Sequence, residues 1–117
     1  MLRECTSIEE INLNNFQTLF VEDISEMFSG CRHLISLGLS SFDTLSVRNM
    51  SNMFFDCNSL EYLDMSSFET SSSGIYTNMF KGADIIKYIS IYNTKNNDIF
   101  ENSISSSSNL NEKDNLI

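Results

Sequence analysis

Apolar residues recur along this chain at one fixed interval, and that interval organises the rest of the sequence. Starting from Cys5, aliphatic side chains stand at Ile8, Leu34 and Leu60, then at Ile11, Leu37 and Leu63, then at Leu13, Leu39 and Met65. Phe follows at 16, 42 and 68, and Met-Phe pairs close the series at 27–28, 53–54 and 79–80. The units run 5–30, 31–56 and 57–82, each 26 residues long without insertion or deletion. Units two and three agree at 11 of 26 positions, and units one and two at nine. A fourth unit opens at Ala83 with Ile86, Ile89 and Ile91 in register, then carries Thr94 in place of Phe and Ser105-Ser106 in place of Met-Phe. Met1-Leu2 also falls on the Met-Phe position, so residues 1–4 read as the end of an earlier unit. Self-similarity at a period of about 20–50 residues marks a stacked array.

Each unit divides into two elements. "LISLGL" and "LEYLDM" end in an in–out–in alternation, which predicts a short strand. "VEDISEMF" and "VRNMSNMF" place apolar residues at i, i+3, i+6 and i+7, which predicts one face of a short helix. Glu22 and Asp23 suit the start of such a helix, Ser46 is a candidate N-cap, and Gly30 and Gly82 suit its end. Asp43 and Thr44 are expected to shape the turn from strand to helix through side-chain-to-backbone bonds. One unit cannot bury its apolar side alone, so neighbours must stack. The expected fold is therefore an α/β solenoid over residues 1–104, with parallel strands on one face and short helices on the other. It has about four coils: 1–4 partial, 5–30, 31–56, 57–82, and a degenerate, capping 83–104. "NNDIFENSI", with Asn97 as N-cap, predicts a last helix that covers the C-terminal end. Residues 105–117, rich in Ser and Asn, read as a disordered tail. The first coil has no comparable cap, which predicts either further units upstream or end-to-end self-association through it.

L-x-x-L-x-L is also the strand phrase of leucine-rich repeats. Combined as L-x-x-L-x-L-S-S-F-[DE]-T with N-M-x-x-M-F-x-x-C, it resembles the 26-residue repeats of BspA-like leucine-rich repeat surface proteins. The resemblance covers residues 1–92 and is closest in 31–56 and 57–82. It implies a surface or secreted protein that binds a protein or glycan ligand without catalysis, and it carries over no catalytic residue. A spacer within a longer repeat array is an alternative, as is a cytoplasmic leucine-rich-repeat adaptor.

Charge narrows the partners. The formal net charge is −9 and the isoelectric point about 4.3, with the few basic residues scattered, which argues against nucleic acid. No apolar run approaches the roughly 20 residues needed to cross a bilayer, and "MLRECTSIEE" lacks the apolar core of a signal peptide. Cys5, Cys31 and Cys57 recur once per unit and form one column of small apolar thiols rather than the close pairs of a zinc site. A disulfide between neighbours is the sharper alternative. The Met-Phe column reads as core, His33 as a lone turn residue, and the Asn49-Met50-Ser51 sequon as chance. No cofactor and no metal is expected.

The outward strand positions carry the informative differences between units. In register they form the columns Glu10, Ser36, Tyr62, Tyr88; then Asn12, Gly38, Asp64, Ser90; then Asn14, Ser40, Ser66, Tyr92. The candidate binding face comprises Glu10, Asn12, Tyr62, Asp64, Lys87, Tyr88 and Tyr92, with the tyrosines expected to gather around Asp64. Exposed tyrosines bring large contact area with few rotamers to freeze.

Overall fold

The structure is a computed structural model, and it describes residues 7, 9–11, 13, 15–69 and 73–91. The capping helix expected over 96–104, the tail, Cys5, Asn12 and Tyr92 lie outside the described residues.

Four strands form one parallel sheet in the order β1-β2-β3-β4: Glu10–Ile11, Ser36–Gly38, Tyr62–Met65 and Tyr88–Ile91. Every strand pairs with its neighbour at the repeat offset, as in Leu37↔Leu63 and Leu63↔Ile89. The alternation read from the sequence holds through this sheet. Leu37, Leu39, Leu63, Met65 and Ile89 face inward and are buried, whereas Tyr62 and Tyr88 face out.

The second element of each unit departs from expectation. No helix occurs among the described residues, and the short helices expected there are runs of turns. Their amides alternate between two kinds of partner. Ile24, Glu26, Phe28 and Gly30 donate to the carbonyls of Asn49, Ser51, Met53 and Phe55 in the next unit. The intervening Met27, Ser29 and Cys31 donate to Ile24, Glu26 and Phe28 within their own. The same scheme links Met50, Asn52, Phe54 and Asp56 to Ile75, Thr77, Met79 and Lys81. Parallel bridges Asp23↔Asn49 and Asn49↔Ile75 belong to this second ladder.

Backbone conformation explains the difference. Glu26, Asn52 and Asn78 have φ of 57°, 55° and 54°, and Gly30, Asp56 and Gly82 have 76°, 56° and 85°. Two left-handed residues, four positions apart in each unit, interrupt a right-handed helix before it can propagate. Asn and Gly tolerate that conformation best.

Between the two ladders lies a single core of repeating layers. Phe28, Phe54 and Phe80 stack with ring centroids 5.8 and 5.4 Å apart, and Phe16, Phe42 and Phe68 with 5.8 and 6.1 Å. Two hydroxyl series tie the units at the corner after each strand. Thr18 Oγ1 donates to the Asp43 carbonyl (3.0 Å) and accepts from the Asp43 amide (2.8 Å). Thr44 does the same with Glu69, at 3.1 and 2.9 Å. Ser41 and Ser67 reach the other way, donating to the carbonyls of Leu13 (2.7 Å) and Leu39 (3.0 Å). Among the described residues, no buried side-chain polar atom lacks a partner.

Candidate functional site

The outward side chains of the sheet are positioned by the pleat and repeated by the register. Tyr62 pairs with Tyr88 across β3 and β4, and their rings stack with centroids 5.3 Å apart and planes 4° from parallel. They remain 44% and 57% exposed, so this aromatic pair serves no core. Asp64 lies two residues along β3 on the same face as Tyr62, and pairs in register with Gly38 and Ser90. Its Oδ1 accepts the Ser66 amide at 2.9 Å, which orients the carboxylate. Lys87 precedes β4, and its Nζ lies 3.6 Å from Glu61 Oε2. Such a largely solvated pair is worth at most about 1 kcal/mol.

The structure therefore brings together Tyr62, Tyr88 and Asp64 of the expected face, with Lys87 beside them on Glu61. Glu10 occupies β1 in register with Ser36, two strands from Tyr62, and its side chain is outside the described set. Between β1 and β3, β2 presents Ser36 and Gly38 outward. A Cβ built on Gly38 would meet no heavy atom within 4 Å.

The cysteine column is buried where it is described. Cys31 and Cys57 are not joined in a disulfide and have no exposed surface, and Cys57 Sγ donates to the Phe28 carbonyl at 3.1 Å. Burial, reinforced by neighbouring Cys31, pushes the Cys57 thiol up to about 12. A thiol so protonated is a poor nucleophile and a poor metal ligand. His33 is exposed in the turn after Cys31. No group of three or more His, Cys, Asp or Glu suited to a metal occurs among the described residues. Asn49 of the sequon is half-buried, and its Oδ1 accepts from the Ser51 amide and hydroxyl at 3.0 and 2.8 Å.

Sequence reasoning missed a second exposed apolar stretch. Leu19, Phe20 and Leu45 project at the corner after the sheet, Phe20 at 86% exposure. Leu19 and Leu45 share one repeat position, which Ser71 fills in the third unit. A cleft of about 560 Å³ opens beside Leu45, lined also by Glu22, Arg48 and Gly74 and by none of the sheet-face residues. The signal was present in the repeat alignment, as apolar residues in a column that carries no core duty.

No helix of the described residues is long and apolar enough to cross a membrane. No curated protein and no solved structure matches the chain. One family model does match, over residues 1–116, and its description is "Mycoplasma protein of unknown function, DUF285". A match over nearly the whole length, together with the 26-residue period, places the chain in that mycoplasma family of repeat proteins, DUF285, whose function is unknown.

Proposed function

We propose that the chain is a non-catalytic binding module of a surface or secreted protein, and that it engages its partner through the exposed face of the parallel sheet. In this reading it is a short solenoid of the BspA-like leucine-rich-repeat kind, with strands on one side and tandem turns on the other. The observation that carries it is the stacked, half-exposed Tyr62–Tyr88 pair. Paired aromatic rings held open on a rigid sheet are costly to leave in water, and they suit contact with a protein or glycan surface. The ladders on both sides of the core support the rigidity that such a surface needs.

The experiment is a solid-phase binding assay of the full chain against purified matrix proteins and glycans. Binding to one of them that is lost in the Tyr62→Ala/Tyr88→Ala variant, at unchanged melting temperature, supports the reading. Binding that survives this variant, or no binding across the panel, removes it. A spacer role is favoured by a different observation, the near-identical hydrogen-bond scheme from one unit to the next. It predicts that the double variant changes nothing except stability.

A further inference from the structure

Gly38 has no structural reason to be glycine. It sits inside β2, its φ lies outside the left-handed region, and a Cβ there would meet open space. A glycine within a strand weakens it, so a position with room for a Cβ that carries none calls for another explanation. That explanation lies in what flanks it. The Tyr62 and Tyr88 rings are separated by 5.3 Å, close to the roughly 4.8 Å between neighbouring strands. The ring faces are therefore turned along the strand-to-strand direction. Tyr88 covers one face of Tyr62, and the other face looks across β2, over Ser36 and Gly38. Asp64 stands beside Gly38 in register, with one oxygen held by the Ser66 amide. The result is a notch whose floor is Gly38 and Ser36 and whose wall is an aromatic face and a carboxylate.

Resting on the reading of the sheet as the binding face, we infer that this notch receives the guanidinium of an arginine carried by a basic segment of the partner. A flat cation stacks on a tyrosine face while its N–H groups meet a carboxylate in plane, and arginine satisfies both better than lysine does. Charge points the same way. The chain carries a formal −9, and Lys87, which precedes β4, is already paired with Glu61. The field at the sheet therefore attracts a basic segment and slows an acidic one.

The test is an NMR titration of the full chain with a blocked tetra-arginine peptide, with tetra-citrulline and a neutral oligosaccharide as comparison probes. Tetra-arginine is expected to shift the amides of Gly38, Tyr62 and Asp64, with citrulline at least about fivefold weaker because it keeps the shape and loses the charge. Asp64→Asn and Tyr62→Leu should each weaken binding roughly two- to fivefold, the size of exposed ionic and cation–π contacts. Gly38→Val fills the notch and should abolish the Tyr62 and Asp64 shifts while the melting temperature holds or rises. Equal binding of citrulline, the same shifts from the oligosaccharide alone, shifts spread over distant acids such as Glu22 and Glu69, or undiminished binding by Gly38→Val would each overturn the inference. Failure is separable from that of the broader reading. A matrix partner lost with Tyr62→Ala/Tyr88→Ala but retained by Gly38→Val and Asp64→Asn keeps the binding face and removes the notch.

Discussion

Replacing Thr44 by Val and by Ser separates hydrogen bonding from packing at the joint between units. Thr44 is buried, and its hydroxyl both donates to the Glu69 carbonyl (3.1 Å) and accepts from the Glu69 amide (2.9 Å). Val keeps the volume and loses both bonds. At a net value of about 1 kcal/mol each, that loss costs about 2 kcal/mol, and more if the Glu69 groups find no water. Ser keeps both bonds and loses one buried methyl, which costs about 0.8–1 kcal/mol. Thr44→Val should therefore be the less stable variant by about 1 kcal/mol. The chain has four Tyr and no Trp, so urea unfolding is followed by tyrosine fluorescence with circular dichroism as a second probe. A difference of that size moves a melting temperature by about 4–8 °C in a domain of this scale. The reverse order, with Val close to wild type and Ser the weaker, would refute the hydroxyl series as a joint and assign Thr44 to packing alone. Thr18→Val and Thr18→Ser repeat the comparison at Asp43, where the distances are 3.0 and 2.8 Å.

The packing of the stack carries further expected outcomes. Phe54 lies between Phe28 and Phe80, so Phe54→Ala should cost about 3–5 kcal/mol in urea unfolding, whereas Phe20→Ser, at 86% exposure, should stay within about 0.5 kcal/mol. Cys57 should resist Ellman's reagent at pH 8 until the chain unfolds. Because its thiol ionises near 9.0 when unfolded and near 12 when folded, its stabilising contribution is complete below pH 9, and stability should fall by about 1.4 kcal/mol per pH unit as pH rises from there toward 12; a flat profile in that window, relative to Cys57→Ala, would contradict its burial. Gly82 has φ of 85° and an added Cβ would lie 3.0 Å from the Asp56 Cα, so Gly82→Ala should destabilise by more than about 1 kcal/mol. Asp56→Gly, in the same column with φ of 56°, should gain up to about 1 kcal/mol by thermal melt.

The strands were legible because an in–out alternation has only one geometric reading, and the 26-residue offset set the register. The turns were misread as helix for a physical reason. Apolar residues at i, i+3, i+6 and i+7 fit one face of a helix, but a succession of short turns also returns the chain to the core at those positions. The two differ in where the amides go, and a stacked neighbour offers carbonyls at the same height in every unit. The distinguishing signal was Asn52 and Asn78 four residues before Asp56 and Gly82, since side chains that tolerate positive φ at that spacing have no use in a helix. Thr44 was likewise assigned to a local turn. Asp43 does make one, its Oδ1 accepting the Leu45 amide at 3.0 Å, but the Thr44 hydroxyl reaches a residue 25 positions ahead. Periodicity shows that a hydroxyl recurs, and only the stack shows which coil it serves.

The stack also determines where this chain is free to differ from itself. An inward residue such as Phe54 touches its counterparts above and below, so a change there disturbs three layers at once. The corner hydroxyls are constrained in the same way, since each completes a bond in its neighbour. Outward positions on the sheet answer only to the residues beside them, and there Ser36, Tyr62 and Tyr88 succeed one another in a single column while the core column beneath runs Leu37, Leu63, Ile89. Glycine makes the contrast sharpest. Gly82 is required by its backbone conformation and by the nearness of Asp56, whereas Gly38 is required by neither. A residue that the fold does not need, beside an aromatic pair that the fold does not bury, is what the proposed notch rests on.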